Sequence, residues 1–184
     1  IGMKTPTLDT VLDEYLVTAC QHGDRRAFRL LVTRWTPRFR RLAGRFLGDR
    51  EAAMDVTQEA WIGVVKGLGG LHDPARFRAW SYRIVANKAR DYIRRERARS
   101  EAPPDDGVQW ILQTGEDDPA LTRLGEAMGR LSGDQRTLLS LYYGEDLSVS
   151  ELAVVLGVPK GTIKSRLYHA RKALKSLMEA EEET

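Results

Sequence analysis

Residues 148–175 read SVSELAVVLGVPKGTIKSRLYHARKALK, and this stretch decides the fold. Ser148 and Glu151 stand at capping-box spacing: the serine hydroxyl takes up a free backbone N–H of the first turn and the glutamate returns the contact. Leu152, Ala153 and Leu156 give that helix an apolar face. Gly157 stops it, because glycine takes the left-handed cap without strain. Pro159 opens the next helix with φ already set. Two amphipathic helices around a short glycine turn predict a helix-turn-helix. In the second helix Ile163, Leu167, Ala170, Leu174 and Leu177 step by four, three, four and three, one core stripe. Its other surface carries Lys160, Gly161, Thr162, Ser165, Tyr168, His169 and Lys172, flanked by Lys164, Arg166 and Arg171. Small polar groups that reach base edges, with cations on the shoulders for phosphates, are what a reader of double-stranded DNA requires. A solvated basic face is the bland alternative, and it leaves the box, the glycine and the proline unconnected.

Outward from this element, nearly the whole chain has helical periodicity and no alternating strand pattern. An all-α fold of two small helical domains is therefore expected. The first domain spans 4–99, with helices over 8–22, from Asp24 onward with an interruption or kink at Pro37, over 49–66, and over 74–99. The second spans 120–180, with four helices ending in the helix-turn-helix and an acidic tail after 178. Between them, 100–119 contains Pro103, Pro104, Gly107 and Gly115 and reads as a flexible linker. Trp110, Ile111 and Leu112 are unusual there, and they suit docking on another protein or on this one. The chain is 42% apolar, enough for real cores, and its apolar runs are too short to cross a bilayer. Ile1-Gly2 before Met3 looks like a tag remnant. With no signal-like segment near the start, the cytoplasm is the expected compartment.

The net charge of +3 says less than its distribution. Arg76, Arg78, Arg83, Lys88, Arg90, Arg94, Arg95, Arg97 and Arg99 are opposed only by Asp91 and Glu96. The linker holds Glu101, Asp105, Asp106, Glu116, Asp117 and Asp118 and no base. From Lys160 to Lys175 every charge is positive. Two basic blocks around an acidic connector predict two contacts with a polyanion. A single cysteine, Cys20, excludes an internal disulfide and a multi-cysteine metal site. The histidines (His22, His72 and His169) are scattered, and no phosphate loop or nucleophile–base pair is present. Neither an enzyme, a metal nor a cofactor is expected.

Three motifs in order carry a family resemblance. They are Asp55-Val-Thr-Gln-Glu-Ala-Trp61; Phe77-Arg-Ala-Trp-Ser-Tyr-Arg-Ile84 with Asn87 and Asp91; and Gly161-Thr-Ile-Lys-Ser-Arg166 with Ala170-Arg171. Together they resemble the bacterial extracytoplasmic-function sigma factors, over roughly residues 24–177. Ser81 departs from the family, which usually carries leucine there.

The resemblance implies a sigma-2-like domain that binds core RNA polymerase and opens the −10 element, and a sigma-4-like domain that reads the −35 element as duplex. Asp55, Gln58, Glu59 and Ile62 fall at i, i+3, i+4 and i+7 and form the implied polymerase patch. His72, Asp73 and Arg76, in the loop 71–76, are candidates to hold an extruded −10 base. Arg78, Arg83, Asn87, Lys88, Arg90, Arg94 and Arg95 would hold the opened strand. Trp80 shares a helical face with Phe77 and Ile84, which favours a core role over stacking on bases. Asn87 either faces DNA or caps a buried group. Lys160, Thr162, Lys164, Ser165, Arg166, Tyr168, His169, Arg171 and Lys172 would meet the −35 duplex. The family also implies an anti-sigma partner, and an acidic linker running through the polymerase cleft. A dimeric regulator using only the helix-turn-helix would leave the first domain unexplained. A mimic that merely titrates an anti-sigma factor would have no need of both basic faces.

Overall fold

The computed structural model describes residues 7–99 and 119–182. Among them are eight α-helices and no strand: α1 Leu8–Gln21, α2 Arg25–Leu47, α3 Arg50–Gly67, α4 Phe77–Arg99, α5 Pro119–Arg130, α6 Gly133–Leu139, α7 Val149–Leu156 and α8 Lys160–Glu182. The expectations placed on 100–118 lie outside the described residues.

Local chemistry sets most boundaries. Asp24 Oδ1 accepts from the N–H groups of Arg26 and Ala27 and starts α2. That helix runs unbroken through Pro37, which is exposed, so no separate segment begins there. Asp49 caps α3 through the Glu51 N–H. The 67–74 loop is a 3-10 turn, Leu68–Gly70, followed by a second at Pro74–Arg76 that leads into α4. α6 continues as a five-residue π turn, Ser140–Gly144. α8 extends to Glu182, so the acidic end continues the helix instead of fraying from 179.

The first four helices close on an aromatic cluster. Trp35 stands edge-on to Phe77 (centroids 5.1 Å apart) and Tyr82 (5.6 Å), and Phe39 packs on Trp61 at 4.9 Å. Trp35, Phe39 and Tyr82 are wholly buried. Each such ring contributes about 2–3 kcal/mol through apolar burial. The polar edges are satisfied from neighbouring helices: the Trp35 indole N–H donates to Asp13 (2.9 Å), and that of Trp61 to the Thr36 hydroxyl (3.0 Å). Gln21 donates to the carbonyls of Leu68 (2.9 Å) and Leu71 (2.7 Å), pinning the loop before α4 to α1. Trp80 is half-buried and packs against Phe77, as the core reading of its helical face requires.

The second core gathers Leu138, Leu139, Leu141, Leu147, Leu152, Val155, Ile163, Leu167 and Ala170. Both halves of the Ser148–Glu151 capping box form, at 3.2 and 2.8 Å. Gly157 takes φ 70°, the left-handed cap. A second box, Ser132–Gln135, starts α6 and had no reading in the sequence.

The two bundles pack on each other, α4 running against α7 and α2 touching α6. Tyr82 reaches across to Glu145, and Arg45 to the same carboxylate.

Candidate nucleic-acid interface

α8 presents its two faces as its sequence divides them. Ile163, Leu167 and Ala170 are buried, while Lys160, Lys164, Ser165, Arg166, Tyr168, His169, Arg171 and Lys172 are exposed and Thr162 is half-buried. The Tyr168 and His169 rings lie edge to face, 5.4 Å apart. The free N–H groups and positive dipole end at Lys160 add to the attraction for phosphate. Arg171 differs from its neighbours. Its guanidinium lies 5.2 Å from the Tyr142 ring centroid and 5.7 Å from that of Tyr143. It braces the π turn as well as flanking the exposed polar face.

The loop before α4 is ordered by its own polar groups. His72 Nδ1 lies 2.8 Å from the Gly70 carbonyl, an oxygen that can only accept. The contact therefore needs the proton on Nδ1, which leaves Nε2 of the neutral ring as an outward acceptor. Such an acceptor suits the exocyclic amine of a base. Asp73 caps the turn through the Ala75 N–H at 3.1 Å and accepts from Arg76 Nε at 3.1 Å. Arg76 remains largely exposed.

Along α4 the cations are not equivalent. Arg83 and Asn87 are exposed and Arg78 is half-buried. Lys88 and Arg95 both bind Glu59, at 3.3 and 3.2 Å. Partial burial works against the Glu59 charge, but Arg95 and Lys88 outweigh it and hold the carboxyl below its usual range. Arg94 pairs with Asp91 at 2.9 Å. Arg90 donates to Asn87 at 3.1 Å and to the Leu156 carbonyl of α7 at 3.4 Å. Burial works against its charge, opposed by Asp134. Tyr92 lies under Arg95, 6.0 Å from ring centroid to guanidinium.

On α3, Asp55, Gln58 and Ile62 are exposed together, whereas Glu59 is turned toward α4 by its two cations. Met54 and Val65 join the exposed patch, with Val65 57% accessible. Both had been passed over, although Val65 follows Ile62 at helical spacing. Tyr82 and Glu145 were missed as a pair because 63 residues separate them. No cluster of His, Cys, Asp and Glu among the described residues could hold a metal, and none of their helices is long and apolar enough to cross a membrane.

Comparison with known proteins bears on these surfaces. Residues 31–99 match the family model for sigma-70 region 2, and residues 121–174 that for sigma-70 region 4. The chain is 33% identical to the RNA polymerase sigma-H factor of Pseudomonas aeruginosa, covering 88% of this chain and 91% of that protein. It is 30% identical to the ECF RNA polymerase sigma-E factor of Escherichia coli, covering 90% and 94%. Among solved structures, it is similar to CnrH in complex with the cytosolic domain of CnrY (29% identity, TM-score 0.65, 92% and 98% covered). It also resembles the sigma factor RpoE of Bartonella quintana in complex with the anti-sigma factor NepR (25% identity, TM-score 0.66, 83% and 96% covered).

Proposed function

Since the chain belongs to the extracytoplasmic-function sigma factors, we propose that it divides the work of that family among three surfaces. It directs promoter-specific initiation by bacterial RNA polymerase and is controlled by an anti-sigma factor. Residues 4–99 form the sigma-2-like domain, 100–119 the linker and 120–180 the sigma-4-like domain. Asp55, Gln58 and Ile62, with Glu59 at their edge, meet core polymerase. His72, Asp73 and Arg76 receive an extruded −10 base. Arg78, Arg83, Asn87, Lys88, Arg90, Arg94 and Arg95 track the opened strand. Lys160, Thr162, Lys164, Ser165, Arg166, Tyr168, His169, Arg171 and Lys172 meet the −35 duplex. The protein works in the cytoplasm and catalyses nothing itself; the polymerase supplies the chemistry.

The observation that carries this reading is α8, a capped second helix whose buried stripe leaves an exposed face of bases and small polar groups. That layout supports major-groove reading. The basic α4 beside an ordered loop supports capture of a single strand. The test is direct. The purified protein is added to bacterial core polymerase with a promoter library, and run-off transcripts are sequenced. Transcripts sharing paired upstream elements are expected; the absence of any promoter-dependent transcript with any core enzyme would sink the reading.

A further inference from the structure

An apolar groove of about 670 Å³ opens in the second domain. Leu124 and Met128 line it from α5, Leu139 and Tyr143 from α6 and the π turn, and Leu174 and Met178 from α8. The α5 and α8 pairs stand at i and i+4, each on one helical face. Leu121 continues the α5 line one turn back toward Pro119 and is 40% accessible; Tyr143 is 63% accessible. Arg171, Lys175 and Glu179 also border the groove. Of all these residues only Arg171 belongs to the proposed polymerase and DNA surfaces. A cleft of about 300–1,000 Å³ takes a drug-sized ligand, so this one has room for an indole and two branched aliphatic side chains. Apolar surface left open on this scale marks a docking site.

The chain carries a matching set close by. Trp110, Ile111 and Leu112 are consecutive in a mostly polar, acidic stretch that leads directly into α5. Leu112 stands seven residues before Pro119, a reach of up to about 24 Å. From Pro119 to Met128 is about 14 Å along the helix. The trio can therefore fold back alongside α5 and reach the length of the groove. Gly115, on the way, eases the reversal. Charge agrees with this path. Glu116, Asp117 and Asp118 follow the trio, and Arg171 and Lys175 border the groove. Lys175 pairs with Glu179 at 3.4 Å, with the two side chains 75% and 60% accessible, and another carboxylate can take that place at little cost. On α1, Leu8, Val11, Leu12 and Tyr15 are also exposed. That helix carries Asp9, Asp13 and Glu14 and no base, so an acidic segment is disfavoured there.

We propose that Trp110, Ile111 and Leu112 dock in the groove between α5 and α8 of their own chain. Nothing in this contact depends on the chain's being a sigma factor. Docking leaves 100–109 as the connector between the domains, at most about 35 Å long instead of about 70 Å. The full chain carries 5-fluorotryptophan at its four tryptophans and is read by fluorine NMR, with far-UV helicity as the check on folding. Trp110→Phe assigns the Trp110 signal by its loss. That signal should lie away from its position in the urea-denatured chain. Leu124→Glu should return it to that position while the signals of Trp35, Trp61 and Trp80 stay in place. If Leu124→Glu loses helicity, Leu121→Glu at its exposed position decides. A Trp110 signal already at the denatured position overturns the proposal and leaves the groove to a separate partner. A displaced signal that the folded groove variant does not move overturns it too. Location is read with a nitroxide on Glu179→Cys in a Cys20→Ser chain, which should erase the Trp110 signal until the label is reduced. The same label on Thr18→Cys should leave the signal sharp; erasure from there alone puts the segment on α1 and overturns the groove. When labelled, unfluorinated chain is mixed with fluorinated, unlabelled chain, no loss is expected. A loss in that mixture makes the occupant a second copy and overturns docking within one chain.

Discussion

Gly67→Ala tests how the loop that carries the proposed −10 residues is seated. Gly67 ends α3, directly before the turns that hold His72, Asp73 and Arg76. An added Cβ there would lie 2.8 Å from Trp80 Cζ2 and 3.5 Å from Cη2. Ordinary carbon contacts begin near ~3.5 Å, so the overlap is about 0.7 Å. The indole cannot bend as the end of a flexible chain can, and it also packs against Phe77, ring centroids 6.0 Å apart. Overpacking of this kind costs about 1–3 kcal/mol. Replacing a helical glycine returns about 0.5–1 kcal/mol at most, less at a helix end. The net expectation is destabilisation by about 1 kcal/mol. Gly44, inside α2, is the control, for a Cβ there meets nothing within 4 Å. Gly44→Ala should stabilise by about 0.5–1 kcal/mol. With a urea slope of about 1–3 kcal/mol per molar, the two midpoints should separate by roughly 1 M. Tryptophan fluorescence is the assay, because Trp35, Trp61 and Trp80 all report on the first domain. Gly67→Ala should also impair promoter opening while −35 binding persists. A Gly67→Ala midpoint at or above that of the parent protein would refute the argument from close approach.

Lys164→Ala should lower the slope of log affinity against log salt for −35 duplex by about 0.9, one phosphate's worth; Arg171→Ala should change it less, because that guanidinium is shared with Tyr142 and Tyr143. Replacing Gln58 and Ile62 together by Ala should abolish binding to core polymerase in a pull-down while leaving helicity and −35 binding unchanged. Ser148→Ala removes one half of the capping box before α7 and should destabilise the second domain by about 1 kcal/mol, read by urea titration of tyrosine fluorescence. Burial and Glu145 raise the Tyr82 pKa above its unfolded value of about 10, so the folded state favours the neutral phenol. Its contribution is complete below that pH and fades as pH rises above it. Alkaline titration followed by scattering should show domain opening, and Tyr82→Phe should remove that pH dependence.

What the sequence made legible follows the range of the interactions. Caps and stripes act over three to seven residues, and they located α7, Gly157 and the two faces of α8 from the sequence alone. The aromatic core of the first domain was legible as periodicity: Trp35 and Phe39 share one side of α2, and Phe77, Trp80 and Ile84 one side of α4. Pro37 misled because proline's missing N–H argues for a break, yet an exposed proline on a long, well-buried helix is tolerated. Ser81 stands where the family usually carries leucine. It is fully buried, and its hydroxyl donates to the Arg78 carbonyl one turn back at 3.2 Å, so the polar group needs no partner from elsewhere. Tyr82 offered no comparable signal. Its place in the helix explains its burial, but the carboxylate it binds belongs to the other domain.

The same distinction decides which basic residues are available to DNA. A count of arginines along α4 treats them alike, and their environments do not. Lys88, Arg95 and Glu59 are all more than a third accessible at the side chain. Exposed pairs of this kind are worth about 0–1 kcal/mol, and salt screens them further. A phosphate can replace Glu59 at little cost, so pairing does not remove Lys88 and Arg95 from the proposed strand-binding set. Arg94 with Asp91 stands in the same position, since Arg94 is 81% accessible. The Arg45–Glu145 pair is different. Taking one partner from a buried pair costs about 3–5 kcal/mol, because the other charge is left without water. That contact yields only when both partners are solvated together, which requires the domains to separate. Arg90 follows the second rule although it lies on the first surface: it is half-buried, and its guanidinium reaches a carbonyl of α7. Its availability therefore depends on domain separation, whereas that of its neighbours depends on salt.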